Sequence, residues 1–265
     1  MITRQTAQKR LVGLLDTSAK PTAPAAPTEP TAAGYLDVLG GAPQAGRTTG
    51  ITQRLMRTSL LPKIYEDYWR PAFGRLFMGP FGPSMTGEVR LAVELLALRP
   101  GRIALDVGCG TGRFTRAFGA AVGEEGLAIG LDGAHAMLTR AVAESAGADN
   151  VAYLRADAVE PPFRSSTVDA VCCFAALHMF AEPERALDSF ARILRSGGRV
   201  VLLTTARHDG QPARIADTVG GILSGQRMFD RGEIGAALRA RGFTLVGERI
   251  HGVTQIVAGE LAEAN

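Results

Sequence analysis

With 265 residues the chain has room for one full α/β domain plus extra segments, and hardly for two large domains. A composition of 46% hydrophobic and 21% charged residues is that of a globular chain with a sizeable core, which excludes a wholly disordered one. The net charge of +3 comes from basic residues scattered along the chain, so it marks out no basic patch for nucleic acid. The three cysteines, Cys109, Cys172 and Cys173, offer neither a disulfide framework nor the CxxC spacing of a zinc site, and no bound metal is expected. The apolar run at 11–15 is too short for a signal peptide, and no stretch approaches the roughly 18 to 20 residues that span a bilayer. A reducing, cytoplasmic location without integral membrane association is the expectation.

Taken in chain order, residues 17–34 are rich in Pro, Ala and Thr. Such a segment cannot build a core, so 1–50 reads as a flexible N-terminal arm with a short helix in its first sixteen residues. Apolar and aromatic residues return over 51–85. There Leu61, Ile64, Tyr65 and Tyr68 share one helical face, and with Trp69, Phe73, Phe77 and Phe81 they predict a helical lid. The run Gly79-Pro80-Phe81-Gly82-Pro83 breaks the chain, and 86–265 reads as the main domain. A helix over 88–98 stops at Pro100-Gly101. Strands are predicted at 102–107, 127–131, 151–155, 168–174, 199–205, 244–249 and 254–257, with helices at 112–122, 134–145 and 184–194. The third and fourth strands are joined mainly by loop. Strand–helix alternation requires a parallel sheet covered on both faces. The last two strands are too close for a crossover and should pair as a hairpin around Gly252. The expected fold is α/β: a doubly wound, seven-stranded, mostly parallel sheet with an antiparallel C-terminal hairpin strand and a helical N-terminal extension.

The first predicted strand runs into Asp106-Val107-Gly108-Cys109-Gly110-Thr111-Gly112, and a helix follows at once. Glycines at such a turn let a ligand approach the backbone and expose amides at the helix start. A dinucleotide loop would look similar. Two details favour another ligand. The spacing is GxGxG, with Phe114 six residues after Gly108, and Asp106 stands two before the first glycine. A carboxylate there repels a pyrophosphate but attracts the ammonium and sulfonium of S-adenosylmethionine. The second strand ends at Asp132, placed to accept ribose hydroxyls, and the third at Asp157, within reach of an adenine amino group. Three carboxylates at successive strand ends converge on one crevice. For any one of them alone, a helix N-cap role would serve as well.

These residues resemble the class I S-adenosylmethionine-dependent methyltransferases, and look most like the small-molecule group that includes the ubiquinone and menaquinone biosynthesis enzymes. The resemblance covers roughly 86–258. It rests on Leu105 to Gly112, Gly130-Leu131-Asp132 with Met137-Leu138, Asp157-Ala158, Val168-Asp169-Ala170-Val171, Ala176-Leu177-His178, and Leu194-Arg195-Ser196-Gly197-Gly198-Arg199. It implies that Asp106 with Gly108, Cys109, Gly110, Thr111 and Gly112 holds the methionine portion. Asp132 would bind the ribose, with Gly133 and Met137 near the adenosine; Asp157 and Ala158 would meet the adenine, and Phe174 would lie beside the cofactor. Two departures stand out. Ser196 replaces a frequent Pro before the paired glycines, and Met179-Phe180 follows His178 where the family often has a second His, which implies a more apolar pocket.

Methyl transfer from a sulfonium is an in-line displacement that positioning and water exclusion can largely drive. A base is needed only for a poorly acidic acceptor. His178, after the fourth strand, and His208, after the fifth, are the candidates. His135 belongs to the second helix and is read as solvent-facing, and His251 lies at the final hairpin. The segment 207–228, with Gly220, Gly221 and Gly225, should form another wall. The expected activity is methyl transfer to a hydroxyl, or in second place a carbon or nitrogen, of a small lipid-like, quinone-like or polyketide-like acceptor. A nucleic-acid methyltransferase is the alternative, but no appended basic domain or Asn-Pro-Pro-type tetrapeptide is visible. A non-catalytic cofactor-binding protein is another, and a dehydrogenase the most distant. Oligomeric state is not legible.

Overall fold

The computed structural model describes residues 4–16, 29–40 and 84–263. The aromatic segment 51–81, read above as a lid, lies outside these residues. In chain order the elements are α1 (Arg4–Val12), β1 (Leu36–Asp37), α2 (Met85–Leu95), β2 (Ile103–Val107), α3 (Arg113–Val122), β3 (Leu127–Asp132), α4 (His135–Glu144) and β4 (Val151–Arg155). There follow β5 (Val168–Phe174), a 3₁₀ turn (Leu177–Met179), α5 (Pro183–Ile193), β6 (Leu194–Thr205), α6 (Ala213–Ser224), α7 (Glu233–Arg239), β7 (Phe243–His251) and β8 (Thr254–Leu261).

The strands form one sheet in the order β1-β4-β3-β2-β5-β6-β8-β7. All pairs from β1 to β6 are parallel, and β8 runs antiparallel to both β6 and β7. All seven predicted strands are present. The sheet has eight strands rather than seven because residues 36–37 add a short parallel edge strand beside β4. Side chains alternate across the strands and supply two cores. On one face Leu105, Val107, Ile129, Leu131 and Leu154 pack with Phe190, Ile193 and Leu238. On the other, Ala104, Ala128, Tyr153 and Val201 meet Leu91, Phe118 and Leu138. That two-sided burial is why the central strands read as near-continuous apolar runs.

The chain steps from β2 through β3 to β4, then returns to the other side of β2 for β5 and β6. The strand order therefore reverses between β2 and β5, and the crevice at their C-terminal ends is where an open α/β sheet takes its ligand. The opposite end of the sheet is tied by Asp169. Its carboxylate accepts from the Ile103 amide at 2.7 Å, from Arg102 at 2.8 Å and from Arg195 at 2.9 Å. Burial pushes this carboxyl up, but the Ile103 amide and the two guanidiniums more than offset that and hold it below the usual range.

No helix forms between β4 and β5, which leaves that part of one sheet face without a crossover helix. Helix α1 takes the place: Ala7, Leu11 and Leu15 are buried in the same core, and Leu15 bridges to the buried Phe163 of the β4–β5 loop. Residues 4–16 and 29–40, assigned from composition to a flexible arm, thus pack on the domain. Arg4 donates to the Val142 and Ser145 carbonyls, Gln8 to Gly34, and Arg10 to Gly126.

Candidate active site

The glycine loop sits at the reversal point, and its three alternate glycines have different reasons to be there. All have left-handed backbone, with φ of 73°, 55° and 78° at Gly108, Gly110 and Gly112. A Cβ at Gly108 would stand 2.7 Å from the Ala176 Cβ, so the turns leaving β2 and β5 touch there. A Cβ at Gly112 would run into the Tyr153 hydroxyl. At Gly110 a Cβ would meet nothing within 4 Å. Gly108 and Gly112 are required by packing; Gly110 faces open space. The Gly108 and Cys109 amides donate to the Leu131 carbonyl at 2.8 and 3.0 Å, which pins the loop to β3.

Tyr153, which sequence reasoning passed over, is the loop's floor. Its ring fills the space left by Gly130 and Gly112, and its hydroxyl pairs with Ser145 at 2.8 Å. Burial pushes its phenol well above the ordinary tyrosine range. The recurrence of Gly at 112 and 130 opposite one large aromatic is visible only once the register is known. Thr115 was also missed. Its hydroxyl donates to Asp106 Oδ2 at 2.6 Å, so the buried carboxylate is oriented from the first turn of α3.

The structure brings Asp106, the loop and the β3–α4 turn together. Asp132 Oδ2 accepts the Gly110 amide at 2.9 Å, and Oδ1 accepts the Ala134 amide at 2.8 Å. Burial raises its pKa, and those amides oppose the rise. Each carboxylate oxygen can accept twice, so two acceptor positions remain for hydroxyls of a ligand. Asp157 shapes its own turn through the Val159 amide at 2.9 Å, and burial raises its pKa too. Neither is a helix N-cap, since Ala134 precedes α4 and no helix follows Asp157; each carboxylate braces a turn, which is compatible with a ligand role.

Other expected contacts are mostly covered. Cys109, Met137, Ala158 and Phe174 are 9%, 4%, 4% and 6% exposed, so a ligand reaches only their backbones or edges. The Phe174 ring packs on Phe114 with centroids 5.1 Å apart. Just beyond it, Ala175 holds a left-handed φ of 55°, a strained conformation for a residue with a Cβ, at the turn where β5 enters the crevice.

His178 lies in the 3₁₀ turn after β5, with Nδ1 3.5 Å from the Thr204 hydroxyl and its carbonyl accepting from the Arg227 amide. Burial depresses its pKa to about 4, so the ring is neutral at physiological pH. Met179 and Phe180 pack partly buried on the core rather than standing free in a pocket. His208 is joined to Asp217 of α6 twice: its amide and its Nδ1 approach Asp217 Oδ2 at 2.8 and 2.9 Å. That leaves Nε2 as the ring's other nitrogen. His135, expected to face solvent, is exposed but hydrogen-bonded to Tyr35. His251 sits at the β7–β8 hairpin, at the far edge of the sheet from the loop. The segment 207–228 borders a cavity of about 600 Å³. Arg207, Thr218, Gln226, Arg227, Met228, Asp230 and Glu233 line it, and their character is more polar than Met179-Phe180 suggested.

The residues fit S-adenosylmethionine on their own chemistry. Gly110 leaves room against the backbone, the Thr111 hydroxyl is buried without a hydrogen-bond partner, and the carboxylates suit ammonium and hydroxyl groups. No side chain caps the start of α3, as an anionic ligand group there would require.

A family model described as a methyltransferase domain matches residues 105–202. An uncharacterized chloroplastic methyltransferase of Arabidopsis thaliana is 39% identical over 166 residues, covering 60% of this chain and 45% of the relative. A demethylmenaquinone methyltransferase of Bacillus cereus is 34% identical over 133 residues, 49% of this chain and 54% of the relative. The chain thus spans about half the length of the curated relatives it matches. The crystal structure of a SAM-dependent methyltransferase from Aquifex aeolicus superposes with a TM-score of 0.57 at 19% identity, covering 77% of this chain and 99% of that one, and shows the shared fold. Matched sequence, strand order and glycine loop agree: residues 105–202 are similar to the methyltransferase-domain family, and the sheet has the fold of S-adenosylmethionine-dependent methyltransferases.

Proposed function

We propose that the protein transfers the methyl group of S-adenosylmethionine to a hydroxyl of a small, quinone-like or related acceptor. The observation that carries this reading is the opening at Gly110, bordered by Asp132 on the adjoining strand and by the Asp106–Thr115 pair behind the loop. When bound, S-adenosylmethionine supplies a methyl group already activated on a sulfonium. The protein's work is then to bind, orient and exclude water. Asp106, Gly108, Cys109, Gly110, Thr111 and Gly112 would hold the methionine portion. Asp132, Gly133 and Met137 would hold the ribose side, Asp157 and Ala158 the adenine, and Phe174 the wall toward the acceptor.

On this reading the acceptor side is that of β5 and β6. The cavity of about 600 Å³ lined by the segment after β6 is of a size suited to a small molecule, and its guanidinium and carboxylate lining suits a polar end on the acceptor. The name of the Bacillus cereus relative supports a quinone-like ring. His208 is the better proton acceptor of the two histidines, because Asp217 orients it through Nδ1. The neutral, weakly basic His178 is suited to shaping the pocket.

The test is incubation of the protein with radiolabelled S-adenosylmethionine and a cell extract. Label is expected in a low-mass, solvent-extractable product; label confined to RNA or protein would refute this acceptor class. With the acceptor in hand, His208→Ala should lower kcat about 100-fold at neutral pH, the lower end for loss of a general base, and His178→Ala much less. The reverse order would remove His208 from the role.

A further inference from the structure

The turn from β3 to α4 carries Asp132 and Gly133, and the N-terminal segment grips it from outside. Arg155, at the end of β4, donates from Nε to the Gly133 carbonyl at 3.1 Å. Its Nη1 pairs with Asp37 Oδ2 at 3.0 Å, and the two side chains are only 13% and 19% exposed. A pair this sheltered is screened far less than a surface pair. Asp37 is itself fixed, since Oδ1 accepts the Leu39 and Gly40 amides at 2.9 and 3.2 Å and its backbone lies in parallel register with Arg155. Two residues earlier, the buried Tyr35 hydrogen-bonds through its hydroxyl to His135 Nδ1, with the rings edge-on at 5.8 Å. His135 is the first residue of α4. The turn at 132–135 is thus held at Gly133 through Arg155 and at His135 by Tyr35. A chain of contacts runs from Asp37 through Arg155, Gly133 and Asp132 to the Gly110 amide.

We propose that Asp37 and Arg155, backed by Tyr35 on His135, are positioning residues that set the β3–α4 turn for the adenosine half of the cofactor. Affinity for S-adenosylmethionine then depends on a strand contributed by residues outside the strand–helix alternation. Neither Asp37 nor Arg155 is a ligand contact; both act through the Gly133 carbonyl and the Asp132 carboxylate. The inference rests on the cofactor reading above.

The experiment titrates S-adenosylhomocysteine and 5′-methylthioadenosine, which lacks the amino-acid end, into the full chain by calorimetry. The proteins are wild type, Asp37→Asn, Arg155→Lys and the double variant, with Tm measured in parallel. Arg155→Lys keeps a charge opposite Asp37 but loses the Nε donor to Gly133. It should weaken both ligands by the same factor, about tenfold, at unchanged one-to-one stoichiometry, as loss of one charged hydrogen bond would do. Asp37→Asn should weaken both by less, and the double variant by less than the product of the two. A purely structural role would lower Tm and the competent fraction and leave Kd unchanged, and that result overturns the proposal. So does a loss seen with S-adenosylhomocysteine but not with 5′-methylthioadenosine. If Arg155→Lys fails to fold, Tyr35→Phe removes only a hydroxyl and carries the same test, with the same criterion. A wild type that binds neither ligand removes the cofactor reading itself, and this inference with it.

Discussion

A Cβ placed at Gly112 would collide with Tyr153, whereas one at Gly110 would enter open space, so the same substitution at two loop positions should fail differently. Gly112→Ala combines overpacking with a residue forced to φ 78°, and should lower unfolding free energy by about 2–4 kcal/mol in urea denaturation. Gly110→Ala carries only the backbone strain, about 1–2 kcal/mol, but its methyl occupies space where a ligand would approach the backbone. It should therefore weaken S-adenosylhomocysteine at least tenfold while the fold survives. Equal effects at both positions would refute this division of roles. His178 yields a pH prediction. Its folded pKa of about 4 lies below the ordinary 6.5, so between those values the unfolded chain binds more protons. The burial of a neutral His178 is thus harmless above about pH 6.5 and destabilising as pH falls toward 4, by about 2 kcal/mol for a partly exposed ring. His178→Gln should lose less stability than wild type over that window and match its pH dependence above it. At this scale position was legible: Asp106 and Asp132 stand at strand ends, and Gly110 at the open point of the loop. Tyr153, Thr115 and Arg155 were not legible, because each acts through a partner that only the register supplies.

Among the elements, the seven longer strands were readable because burial on both faces leaves them few polar positions, and the crossover helices because their apolar residues recur with helical period. Strand β1 and helices α6 and α7 escaped, and for the expected N-terminal helix it was the packing that escaped. Strand β1 is two residues long, too short for any periodicity to register. Helix α1 is polar over most of its length, yet Ala7, Leu11 and Leu15 recur at a spacing of four, and all three are buried. That spacing was the available signal, and the Pro-rich run after it drew the segment into the arm instead. The helix covers the sheet face left bare by the absence of a β4–β5 crossover helix. Leu11→Ala should accordingly destabilise the domain by about 2–4 kcal/mol, as a buried leucine does and a residue of a flexible arm does not. A loss under about 0.5 kcal/mol in chemical denaturation would mean that α1 contributes nothing to the core.

Across the whole molecule, the two halves of the sheet present different side chains at the crevice end. On one side of the reversal, β2, β3 and β4 end in Asp106, Asp132 and Asp157, and the N-terminal strand braces that side from the edge. On the other, β5 and β6 lead into the His178 turn, the His208–Asp217 pair and the polar cavity. Fold and cofactor chemistry were legible because they rest on strand ends and one loop. The acceptor was not, because the segment after β6 proposed as its wall is held by ion pairs, such as Arg214–Asp230 and Arg227–Glu233, which leave no periodic trace in the sequence. The measurement closest to the central claim is calorimetric titration of S-adenosylmethionine into the full chain, wild type beside Asp132→Asn. One binding site per chain is predicted for the wild type, with affinity at least tenfold weaker once Asp132 loses its charge and its acceptor for the Gly110 amide. No binding by the wild type, or equal binding by the two proteins, would contradict the account.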